Sequence, residues 1–211
     1  MVTTLSGDSN AKADERFDAL LGLRSEAEGD PTLRDALLDR AYLLLNSGER
    51  DVPVRLLALR IIADAALEGQ RVKIACDHLS NHSDKSIDGD VWCRLEAIDD
   101  VGRIGELPIT KLPVDDPARP EVVRTLVRAL NPDVEPDRDV RIAAARSLAR
   151  LHPDQPPKDV DVLGELAKAL SDETPDVRYY AECGLCAMTG EKPKPRRVDW
   201  ELWIKNQAER K

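Results

Sequence analysis

From residue 13 onward, apolar positions recur with a helical period, and the runs are separated by short polar or proline-bearing stretches. The first run covers 13–25, with Phe17, Leu20, Leu21 and Leu23 on one side. The next covers 32–46 and carries Leu33, Leu37, Leu38, Ala41, Leu44 and Leu45. Further helices are predicted from Pro53 to about Leu67, over 70–80 and 90–104, over 120–131 and 137–151, and over 159–171 and 175–188. A last short one, from Asp199 to about Gln207, bears Trp200, Trp203 and Ile204. With this succession of helical patterns the chain reads as all-α.

The breaks fit this reading. Gly29-Asp30-Pro31 supplies a stop, an N-cap at Asp30 and a proline at the first helical position. Thr174-Pro175 repeats the cap-then-proline start, and Asp51 or Val52 caps the helix that follows the 46–51 turn. Residues 106–119 form a proline-studded connector, a candidate kink or functional loop. Residues 1–12 are polar and expected to be disordered, 13–190 form the repeat domain, and 191–211 form a strap and capping helix.

Within the repeat domain one phrase occurs four times: Val54-Arg55-x-x-Ala58, Cys93-Arg94-x-x-Ala97, Val140-Arg141-x-x-Ala144 and Val177-Arg178-x-x-Ala181. An aliphatic residue follows each arginine at +7: Ile62, Val101, Leu148 and Leu185. The arginines are 39, 47 and 37 residues apart, the period of a helical solenoid whose units bury their apolar faces only against each other. On a wheel of about 100° per residue, positions −1, +3, +4 and +7 share one face. All are apolar or small except Glu182, and the recurring alanine marks a close approach of two helices. The arginine stem lies beside this face, so its guanidinium is expected to meet a carboxylate at the preceding turn or in the next unit. Acidic residues stand just upstream each time: Asp51, Asp90, Asp137 with Asp139, and Asp176. Arg55, Arg94, Arg141 and Arg178 are thus expected to form a structural ladder that fixes the stacking register.

The phrase Asp-Val-Arg with alanine at +3 and an aliphatic at +7 resembles the HEAT repeat, closest to the short bacterial kind also found in phycobilisome lyases. Asp139-Val140-Arg141 through Leu148 and Pro175-Asp176-Val177-Arg178 through Ala181 are the best matches; in the second unit Trp92-Cys93 replaces the usual pairing. The likeness spans roughly 31–190. It implies a right-handed, armadillo-like α-α superhelix of about four helix pairs with capping helices at both ends. It also implies a non-catalytic scaffold that binds other proteins, with the second helices lining the concave side. A lyase-like accessory factor, presenting a cofactor-bearing protein for modification, is the alternative. Outward positions +1, +2 and +5 of the second helices mix aliphatics, tyrosines and charges. Arg60, Glu96, Asp99, Ile142, Arg146, Tyr179 and Tyr180 are the residues expected to contact a partner.

Charge and motif content narrow the function further. A net charge of −9 argues against a nucleic-acid binder, which needs a basic face. The Lys-Pro-Lys-Pro-Arg-Arg run at 192–197 reads as an extended strap. No apolar run approaches membrane-spanning length, and no secretory signal opens the sequence, so a cytoplasmic monomer or weak dimer is expected. Cys183-x-x-Cys186 sits late in a helix, away from the N-terminal dipole that would activate a thiol, and Cys186 occupies a packing position. His78 and His82 have i, i+4 spacing, but His82 is expected beyond the helix end; His152 reads as a helix-end residue. No phosphate-loop, nucleophile-elbow or dinucleotide fingerprint occurs, so no catalytic set, metal or cofactor is expected.

Overall fold

The computed structural model describes residues 12–30, 32–69, 71–108, 112–113, 115–151, 157–194 and 196–209. Among these residues there are ten helices and no strand. They are α1 (Ala13–Gly29), α2 (Thr32–Asn46), α3 (Val52–Leu67), α4 (Val72–His82), α5 (Val91–Gly105), α6 (Ala118–Leu130), α7 (Arg138–Leu151), α8 (Val162–Ala169), α9 (Pro175–Thr189) and α10 (Arg197–Ala208). The stretch expected to be disordered, Pro31 and His152 lie outside the described residues, except for Lys12, the N-cap of α1.

Sequential helices pack together: α2 on α3, α4 on α5, α6 on α7 and α8 on α9. A row of alternate helices forms as α1 meets α3, α3 meets α5, α5 meets α7 and α7 meets α9. A second row runs α4, α6, α8, and α10 closes it by packing on α8. The alanines of the repeated phrase explain how the first row packs so closely. Ala58, Ala97, Ala144 and Ala181 are fully buried, as are Ile62, Val101, Leu148 and Leu185. At Gly102 the approach of α5 and α7 leaves no room for a side chain: a Cβ there would lie 2.2 Å from Ser147 Oγ.

Helix ends follow local chemistry. Asp51 caps α3 by accepting from Val54 N–H (3.2 Å), and Asp90 caps α5 by accepting from Trp92 and Cys93 N–H (2.9 and 3.2 Å). Three ends differ from the sequence pattern. α1 runs to Gly29, beyond the expected residue 25, because Ala27 finds a buried seat. α4 includes His82 as its last residue. α8 is the shortest helix, starting only after Asp161, whose carboxylate takes Gly164 N–H at 3.0 Å. The 106–119 connector is pinned where it is described: Arg119 Nε donates to Leu112 O (3.0 Å) and Pro113 O (2.8 Å), and Leu112 is fully buried.

Candidate functional site

The four repeated arginines lie at the same place in successive helices of the α1–α9 row, and three of them clasp a carboxylate in the loop before the next helix of that row. Arg55 Nη1 donates to Asp88 Oδ1 (2.9 Å). Arg94 grips Glu135 with Nε and Nη2 (2.7 and 3.1 Å), and Arg141 grips Asp172 in the same way (2.8 and 3.2 Å). Arg16 of α1 adds a rung before these, holding Glu49 at 2.6 and 2.9 Å.

Each accepting residue has a second task. Glu49, Asp88, Glu135 and Asp172 accept the N–H of the residue two positions on: Asp51 (3.0 Å), Asp90 (3.0 Å), Asp137 (2.8 Å) and Thr174 (2.8 Å). The acid therefore shapes the turn that starts one helix while binding the arginine of the preceding one. The arginines in turn brace their own loop: Arg94 Nη1 reaches Asp88 O (3.1 Å), Arg141 Nη1 reaches Glu135 O (3.1 Å), and Arg178 Nη1 reaches Asp172 O (2.7 Å).

This corrects one expectation. Asp51, Asp90 and Asp137, just upstream of the arginines, cap helices and do not pair with the guanidiniums. The true partners stand six residues before each arginine of the phrase: Glu49, Asp88, Glu135 and Asp172. That constant offset is the sequence signal that would have found them.

Burial pushes the carboxyls of Glu49, Asp88 and Asp172 upward. Hydrogen bonds outweigh it in each case: from Arg16 and Asp51 N–H, from His82 and Asp90 N–H, and from Arg141 and Thr174 N–H. All three end below the ordinary carboxylate range. Burial likewise depresses Arg94, and the Glu135 hydrogen bonds and charge more than restore it.

Most of the expected contact residues are used within the chain. Arg60 forms a fork with Glu96 (2.6 and 3.1 Å) across α3 and α5, and Arg146 pairs with Asp99 (2.7 Å) across α7 and α5. Two further pairs continue this belt, Arg24 with Asp64 (2.8 Å) and Arg150 with Glu106 (2.7 Å). Ile142 and Tyr180 are half-buried against the core. Tyr179 is the exception at 61% exposed, set edge-on to Tyr180 with ring centroids 5.2 Å apart.

Among the described residues His78, His82 and the cysteines are used singly. His82 Nδ1 lies 3.2 Å from Asp88 Oδ2, while His78 stacks on Tyr42 at 4.6 Å. The thiols of Cys76 and Cys93 are buried and pushed up to about 12 by desolvation. Among the described residues no group of three or more His, Cys, Asp or Glu is placed to hold a metal ion. A cleft of about 370 Å³ between α1, α2 and α3 has Leu37, Leu38 and Ile61 in its lining. The Arg24–Asp64 and Arg34–Glu68 pairs (2.8 and 3.3 Å) stand at the same cleft. No helix among the described residues is long and apolar enough to cross a membrane. No model of a known protein family matches this chain, and no curated protein does either.

Proposed function

We propose that the chain is a non-catalytic protein-binding scaffold, built as a HEAT-like right-handed superhelix of about four helix pairs with a capping helix at each end. The observation that carries this reading is the contrast on the α3–α9 row. Arg60 with Glu96 and Arg146 with Asp99 tie one helix to the next, while Tyr179 stands exposed beside Tyr180. A belt of cross-helix pairs stiffens the row, so a partner meets a surface that loses little freedom on binding. An exposed aromatic on such a surface is the residue type that anchors protein interfaces. The role foreseen for Arg60, Glu96, Asp99 and Arg146 changes accordingly: they set the spacing and charge pattern of the row, and Tyr179 is the anchor.

Capture from lysate by the immobilised protein, with mass-spectrometric identification of what is retained, tests this. Tyr179→Ala is expected to reduce a specific retained protein about tenfold or more, corresponding to a hot-spot loss of roughly 1–2 kcal/mol or more, with the melting temperature unchanged. Equal retention by the variant would remove Tyr179 from the surface.

A further inference from the structure

We propose that the open side of α9 at Arg178 is a docking site for an acidic helix-start turn of a partner protein, with Arg178 as the carboxylate receptor. The inference rests on the scaffold reading but not on the tyrosine anchor.

Four guanidiniums of the row, those of Arg16, Arg55, Arg94 and Arg141, each hold a carboxylate from the loop that opens the next helix. Arg178 stands at the same place in α9 and is braced by the same means, donating Nη1 to Asp172 O (2.7 Å) and Glu173 O (2.9 Å). Arg94 and Arg141 carry this brace while their Nε and Nη2 take the acid. Among the described residues no carboxylate pairs with Arg178. Its fork is therefore oriented for an acid that the described residues do not place there, and a pre-ordered fork binds a carboxylate with less entropy loss than a free side chain.

The side of α9 on which a further helix would stack is only partly covered: Tyr179 is exposed, and Glu182, Cys183 and Cys186 are half-buried. In the row, position +8 faces the following helix: Gly102 lies against Ser147, and Ala149 lies against Gly184. On α9 the corresponding side carries Tyr179, Glu182, Cys183 and Cys186, and α10 turns away to pack on α8. Glu182 replaces Leu59, Ile98 and Ala145 of the earlier helices, so this end is not a bare apolar surface. It offers one cation and one anion a turn apart.

The occupant follows from register. A second copy stacked end to end would offer the residue six before Arg16, which is Asn10 and carries no charge. The acids that do fit such a fork, Glu49, Asp88, Glu135 and Asp172, are already clasped inside the chain. The fitting ligand is a different protein bearing Asp or Glu two residues before a helix N-cap.

A synthetic helix of residues 170–190, held helical by a covalent i,i+4 staple on its solvent side, presents that turn through Asp172 without needing the rest of the chain, and Arg178→Gln within the peptide stops it stacking on itself. Calorimetric titration of the full chain with this peptide should give one-to-one binding. Arg178→Gln or Arg178→Lys in the full chain, or Asp172→Asn in the peptide, should weaken it about tenfold or more, with melting curves confirming that the variants fold. No measurable binding, or binding indifferent to these changes, overturns the proposal. Self-association of the full chain that is lost with Arg178→Lys assigns the site to a second copy and overturns the occupant. Either failure leaves the lysate capture through Tyr179 as a separate result.

Discussion

At position 100 the repeat places a carboxyl where the equivalent residues are Ile61, Ser147 and Gly184. Asp100 is buried; its Oδ1 accepts from Arg103 Nη1 at 2.8 Å, and its Oδ2 has no partner. Glu96 and Arg103 face it from α5, and Asp64 and Arg60 from α3. On α7, Arg146 Nε and Ser147 Oγ are likewise buried without partners. Burial, reinforced by the charge of Glu96, pushes the Asp100 carboxyl up to about 7 from its ordinary 3.8. Because the folded value is the higher one, the folded chain holds a proton between these limits that the unfolded chain has lost. Stability therefore falls as pH rises from about 4 to about 7, by up to about 1.4 kcal/mol per pH unit, and levels off above. Asp100→Asn is expected to flatten that fall and to raise stability at pH 8. Urea melts of both proteins across this range check it, and parallel profiles would contradict the assignment.

The rungs act at the scale of the helix, and their pH sign is opposite. Carboxyls held below their ordinary range, as in Glu49, Asp88 and Asp172, stabilise the fold above that range and cease to do so as pH falls through their folded values. The Arg94–Glu135 rung is a stringent test of what a rung contributes, with both side chains nearly inaccessible. Arg94→Met strands the Glu135 carboxylate and leaves Asp88 O without its donor, so a loss of about 3–5 kcal/mol is expected in denaturant melts. Glu135→Gln keeps one acceptor for the Asp137 N–H and should cost less. A loss below about 1 kcal/mol for Arg94→Met would show that the rungs are dispensable for stacking. The sequence disclosed the arginines and the buried alanines because both repeat in phase with the helix. It concealed the acids because the nearest upstream aspartates are also regular, and those serve as caps. The belt pairs were concealed for another reason. Arg60 and Glu96 are 36 residues apart, and Asp99 and Arg146 are 47 apart, so only the packing of one helix on the next decides that they meet.

Over the whole molecule, contacts join each helix mainly to its neighbours in sequence and in its row, so a defect at one end need not reach the other. The C-terminal end offers a clean case. Trp200 is fully buried, Trp203 meets it edge-on with centroids 6.2 Å apart, and Lys194 Nζ lies 5.0 Å from the Trp200 ring. Glu191 ties the 191–194 segment to α10 by accepting from Trp203 Nε1 and Lys194 Nζ, each at 3.1 Å. Among the described helices α10 packs mainly on α8, and the fully buried Trp200 is the main anchor of the cap. Trp200→Ala removes about 3–5 kcal/mol of packing. That is enough to free one short helix, while the α3–α5–α7 stack keeps its alanine contacts and its rungs. Hydrogen exchange followed by mass spectrometry should then show 197–208 exchanging like an unfolded peptide, with α3, α5 and α7 as protected as before. Protection lost across all of these helices would mean that the cap holds the array together, and nearest-neighbour stacking would no longer describe the molecule.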